Sequence, residues 1–118
     1  MSWIKVPKHD HGKYKALPVG AVSVARSRGS IVFGSASVAA WRLKRFKSAN
    51  VYRNDTEEQI AVQFFDTDEG DYRACLNGNT MQVCPASLLR RMGIESARYL
   101  ASRERDGFIV INFEVVVE

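Results

Sequence analysis

The side chains in this sequence that offer chemistry are mostly cations. Arg42, Lys44, Arg45 and Lys47 place four positive charges within the six residues RLKRFK. Arg26 and Arg28 sit around a Gly-containing turn upstream, and Arg73, Arg90 and Arg91 follow in the second half. Guanidinium and ammonium groups neutralise phosphates, and arginine forks also pair with base edges. The charge is lopsided. Residues 1–53 carry eleven Lys and Arg against Asp10 alone, whereas residues 54–118 carry six basic and twelve acidic groups. The net +4 therefore conceals +10 in the first stretch and −6 in the second. Such segregation points to a positive face for a polyanion, unless folding interleaves the halves and mixes the charges. RLKRFK also reads as a solvated helix end, because cations favour helix C-termini.

Other chemistry finds less support. The only histidines, His9 and His11, lie in a polar N-terminal segment, which leaves no Ser–His or Cys–His pair for a core site. There is no phosphate-cradling glycine loop and no HExxH, so the expectation is a protein that is not an enzyme, with no catalytic residues and no cofactor. A carboxylate-based site stays open, since Asp and Glu are plentiful. His9-Asp10-His11 is read as a tail rather than a metal site. The stretch DTDEGD (66–71) resembles a calcium loop, but it lacks the later bidentate Glu and is read as a linker. Cys75 and Cys84 have no CxxC spacing and no nearby histidine, and are expected as free thiols in a cytoplasmic protein. No apolar run reaches the ~18 residues that would span a membrane. Residues 1–15 contain no apolar core of signal-peptide length.

The elements that must position these groups are short. At 118 residues the chain reads as one domain. Residues 1–18 form a basic N-terminal arm whose Trp3 and Tyr14 either track a nucleic-acid groove or belong to a loose lead-in. Residues 21–26 and 30–33 have strand character across a Ser-Arg-Gly turn. Ser35 is a candidate N-cap for a helix over 36–47, with Ala39, Leu43 and Phe46 on one face. Trp41 is expected to cover the core, with base stacking as its other use. Strands over 49–53 and 59–65 flank a polar turn, Ile60, Val62 and Phe64 alternating as in a half-buried strand.

That order then repeats. Strands over 72–76 and 79–83 meet at Asn77-Gly78, a hairpin signal that predicts positive φ at both turn residues. A helix opens at Pro85, lines one side with Leu88, Leu89 and Met92, and stops at Gly93, against which Ile94 packs back. Strands over 98–102 and 108–117 join through Asp106-Gly107, with Ile109, Ile111, Phe113, Val115 and Val117 as an unbroken apolar row. Laying Ala36-Ser37-Val38 over Ala86-Ser87-Leu88 aligns the helix starts, so residues 19–65 and 71–118 read as two ββαββ units of a mainly β domain with two short helices.

The segment VCPASLLRRMGI (83–94) resembles the strand–Pro–short helix–Gly-Ile segment of the AbrB/SpoVT/MazE-type swapped-hairpin DNA-binding domain. The matching features are Val83, Pro85, Leu88, Arg90, Met92, Gly93 and Ile94, and the coarser order of elements extends over 71–113. That family builds a β-barrel from two chains. The resemblance therefore implies a duplicated, swapped-hairpin-like barrel: a monomeric pseudo-dimer, or a homodimer. It also implies DNA contacts from Arg73, Arg90 and Arg91 in the second unit and from Arg26, Arg28 and the 42–47 cations in the first. Where the family carries an arginine opening its second strand this chain has Thr80-Met81, which shifts the expected contacts toward the first unit. The leading expectation is a small regulatory protein that binds nucleic acid, duplex DNA first, through a basic face. A protein-interaction module and a single-strand binder stacking bases on Trp and Tyr are the alternatives.

Overall fold

Small and β-branched residues at alternate positions build the first hairpin. In β1 (Ala21–Ala25) and β2 (Ser30–Phe33), Val22, Val24, Ile31 and Phe33 point inward and are buried. The computed structural model describes residues 2–3, 17–54, 56 and 58–117. The basic arm over 4–16, with His9, Asp10, His11 and Tyr14, lies outside the described residues. After β2 come α1 (Ser35–Ala40), a 3-10 turn (Leu43–Arg45), β3 (Ser48–Arg53) and β4 (Gln59–Phe65). The second half supplies β5 (Tyr72–Arg73), β6 (Cys75–Asn77), β7 (Thr80–Val83), α2 (Ala86–Met92), β8 (Ala97–Arg105) and β9 (Phe108–Val116).

These strands form one antiparallel sheet in the order β5-β3-β4-β9-β8-β1-β2-β7-β6. Its two edges are consecutive in the chain, β5 and β6 being separated by Ala74 alone. The sheet therefore curls until its edges nearly meet, and the result is a nearly closed barrel. Closure leaves little unpaired edge, the feature that otherwise invites aggregation. Phe33, Leu43, Ile60, Val62, Met81, Leu89, Ile109 and Ile111 fill the interior. Each such side chain stabilises the fold by about 1.5–3 kcal/mol on full burial. The Phe64 ring lies 5.4 Å from both Phe33 and Phe46, tying the strands to the segment that follows the 3-10 turn. Among the described residues, no helix is long and apolar enough to cross a membrane.

Three local expectations are corrected. The first helix spans Ser35–Ala40 only, and Gly34 rather than Ser35 occupies its N-cap. Arg42 adopts the left-handed conformation (φ 57°), which breaks the helix and resets its phase. Leu43 and Phe46 are consequently buried while Ala39 is exposed; Trp41 is buried, covering the core. The β6–β7 turn is Gly78-Asn79, one residue later than expected, with Asn77 paired to Thr80. Among its residues positive φ falls on Gly78 alone (64°), as in a turn with Gly at the first central position. The apolar row of β9 breaks after Phe113, whose half-buried ring packs against the core and edge-on to Tyr99. The β8–β9 register slips between Leu100–Asn112 and Tyr99–Val116, leaving 113–115 without strand partners and Val115 exposed. The second helix ends as expected: Gly93 has φ 68°, and the Ile94 N–H donates to the Leu89 carbonyl at 3.1 Å.

Candidate nucleic-acid interface

The break at Arg42 determines where the first cations go. Leu43 and Phe46 turn into the core, so Arg42, Lys44 and Arg45 are thrown outward. With Val38 and Ala39 they line a groove of about 400 Å³. Two of the three are tethered. Lys44 Nζ donates to Asn79 Oδ1 at 3.0 Å, from the β6–β7 turn. Arg45 pairs with Asp106 in the β8–β9 turn, donates through Nε to the Arg42 carbonyl, and lies 4.5 Å from the centre of the Phe46 ring. The hydrogen bond from Arg45 holds the Asp106 carboxyl below its ordinary pKa; the positive fields of Arg45, Arg103 and Arg42 act in the same direction. Arg42 completes the groove with the least local restraint on its side chain.

Lys47 points elsewhere. It shares a second groove, about 250 Å³, with Ser48, Asp68, Gly70, Tyr72 and Arg73. This groove exists because the acidic connector docks onto β3. Ser48 Oγ donates to the Thr67 carbonyl (2.6 Å) and accepts the Gly70 N–H (2.9 Å), and Asn50 Oδ1 accepts the Asp71 N–H (2.7 Å). Gly70 is required there, since a Cβ would lie 2.6 Å from the Ala49 nitrogen. Asp68 is thus brought beside Lys47 and Arg73, yet no ion pair joins them among the described residues.

A third groove, about 350 Å³, is lined by Val51, Arg53, Tyr72, Ser87, Leu88 and Arg91. Tyr72 borders both this groove and the previous one. Arg53 and Tyr72 were not among the residues expected from sequence. They meet because Ala49 pairs with Tyr72 across β3 and β5, a pairing between distant strands that leaves no local signal.

The remaining expected residues lie apart from these grooves. Arg26 pairs with Glu95 at 2.7 Å, and its N–H donates to Ser96 Oγ at 2.8 Å, fastening the β1–β2 loop to the end of α2. Arg28 is exposed on that same loop and Arg90 is exposed on α2. The nine expected cations are therefore distributed over the two helices, their neighbouring loops and the β3–β5 seam rather than gathered in one patch.

Compared with known proteins, the chain matches no family model, no curated protein and no solved structure. Among the described residues, no group of three or more His, Cys, Asp or Glu side chains is arranged to hold a metal ion. Cys75 and Cys84 are free and exposed.

Proposed function

We propose that this protein is a small regulator that binds nucleic acid, duplex DNA first, by holding the phosphate backbone against its basic grooves. The observation that carries the reading is the groove beside α1, to which one turn of chain contributes Arg42, Lys44 and Arg45. Exposed ion pairs contribute little to stability, so folding alone gives no strong reason to concentrate cations there. Arg28, Lys47, Arg73, Arg90 and Arg91 are also exposed and have no ion-pair partner among the described residues. Contacts of this kind position a backbone and carry little sequence information by themselves.

In the same reading, the barrel is a fused pseudo-dimer of two ββαββ units with swapped hairpins, as the resemblance of residues 83–94 implies. The strand pairing supports it. Exchanging the halves carries β1–β2 onto β6–β7, β3–β4 onto β8–β9, and β1–β8 onto the β5–β3 pair. With Ala36 laid over Ala86, the pair Ile31–Val83 maps onto Phe33–Met81. Each hairpin loop also meets the other unit: Gly29 abuts Ala86, and Asn79 accepts from Lys44.

The test is a fluorescence-anisotropy titration of a labelled duplex at about 50 and about 200 mM salt, the range over which phosphate-dominated binding weakens steeply. Replacing Arg42 by Asn, which tolerates the left-handed backbone, together with Lys44→Ala is expected to weaken binding and reduce the salt slope by about 2. Absence of binding at the lower salt overturns the proposal.

A further inference from the structure

We infer that the groove between α2 and the β3–β5 seam takes one unpaired nucleotide, its base stacked on Tyr72 and its phosphate on the arginine rim. This rests on the nucleic-acid reading and names the part of the substrate that this groove recognises. Val51, Tyr72 and Leu88 pack against the core and form a narrow apolar floor, while Arg53, Ser87 and Arg91 supply a polar rim that makes up most of the exposed lining. A volume of about 350 Å³ falls within the ~300–1,000 Å³ typical of small-ligand sites. Tyr72 is half-buried, and among the described residues its side chain makes no hydrogen bond and no ring contact. Its ring is therefore held by packing on the core while its polar end has no partner.

A double helix presents phosphates and sugars to its surroundings and keeps its base faces stacked. An apolar floor with an aromatic ring matches the face of a base that has left the stack, and arginines at the rim match the phosphate attached to it. The neighbouring groove extends the argument. On the other side of Tyr72, Lys47 and Arg73 share their groove with the Asp68 carboxylate and leave a net positive position for the adjoining phosphate. The single-stranded segment then crosses the barrel seam, passing from Arg91 over Tyr72 to Lys47.

The experiment compares a labelled oligothymidine with a blunt duplex of equal length, using Tyr72→Leu, Tyr72→Phe, Arg91→Ala and the Arg42→Asn/Lys44→Ala double variant. Thermal melting confirms that each variant is folded; Tyr72→Leu keeps apolar bulk on the floor and removes only the ring. The expected result is that Tyr72→Leu weakens oligothymidine binding about 5- to 100-fold while blunt-duplex binding stays within about twofold and Tyr72→Phe retains both. Arg91→Ala is expected to weaken oligothymidine binding and flatten its salt dependence by about 0.7 in slope. Unchanged oligothymidine binding in Tyr72→Leu, or equal loss on both probes, overturns the inference and leaves the α1 groove standing if the double variant still loses duplex. Retention of duplex binding by the double variant, with oligothymidine binding still dependent on Tyr72, overturns the α1 site and upholds this one. A wild-type protein that binds neither probe overturns both.

Discussion

Gly29 and Gly78 share nearly the same positive φ, 63° and 64°, and occupy the turns of the β1–β2 and β6–β7 hairpins. Their surroundings differ. A Cβ on Gly29 would stand 2.2 Å from Ala86 Cβ and 2.5 Å from Ala86 Cα, whereas one on Gly78 would meet nothing within 4 Å. Alanine at either site bears the left-handed penalty of about 1–2 kcal/mol. At Gly29 it also forces the loop off the start of α2, and Ala86 Cα belongs to the helix backbone, so a rotamer change cannot relieve the clash. Overpacking of this kind adds about 1–3 kcal/mol. Gly29→Ala is therefore expected to destabilise by about 2–5 kcal/mol and Gly78→Ala by about 1–2 kcal/mol. Urea unfolding followed by far-ultraviolet circular dichroism measures both, with the slope checked for constancy. Equal losses would refute the seating of the first hairpin on the second helix, since both variants place a side chain at positive φ and only Gly29 faces the helix.

Three further outcomes follow from single contacts. Because Arg45 lowers the Asp106 carboxyl below the ordinary 3.8, its contribution is full above about pH 4 and is lost as pH falls through the lowered value. Asp106→Asn should thus narrow the gap between urea midpoints at pH 7 and pH 3, and an unchanged gap would contradict the pairing. Tyr99 is raised above 10.0, first by burial and then by Glu95, so its contribution is full below about pH 10 and lost as pH climbs through the raised value. Tyr99→Phe should blunt alkaline destabilisation and, by removing the hydrogen bond to the Glu95 carbonyl, lower stability at neutral pH by about 1 kcal/mol. Arg42→Gly should raise the melting temperature, because relief of about 1–2 kcal/mol of left-handed strain exceeds the added chain entropy of about 0.5–1 kcal/mol; a lower melting temperature would count against strain at this position.

What could be read from sequence was governed by how local its cause is. The second helix and its stop are set within one ten-residue segment by Pro85, Leu89, Gly93 and Ile94; Pro85 takes the N-cap, one position before the first helical residue, and the stop appears where that pattern puts it. β2 and β4 likewise keep their expected bounds, because turn residues flank runs of clear alternation. The first helix misled because a charged residue, not glycine, takes the left-handed position. A periodicity of Ala39, Leu43 and Phe46 reads as continuous only if Arg42 is assumed helical. The β9 row misled for a different reason: alternation alone is blind to a register slip imposed by β8. For the candidate site, the cations themselves were legible, but their grouping was not. Lys47 is two residues from Arg45 in the chain, yet it shares a groove with Arg73.

The same non-local pairing bears on the opposed charges of the two halves. Four strand contacts, β1–β8, β2–β7, β3–β5 and the β3–β4 hairpin, join residues 1–53 to residues 54–118. A barrel woven this way does not keep the described parts of the basic and acidic halves as separate hemispheres, and the ion pairs Arg26–Glu95 and Arg45–Asp106 both cross between the halves. Exposed cations nevertheless gather in two places: the turn after α1, where the left-handed Arg42 throws three cations outward, and the β3–β5 seam, where Lys47, Arg53, Arg73 and Arg91 flank Tyr72. At the seam the docked connector brings Asp68 close without pairing it. The relevant electrostatic unit is therefore the individual groove, a few ångströms from its ligand, where screening is weakest and the field of the whole chain matters least.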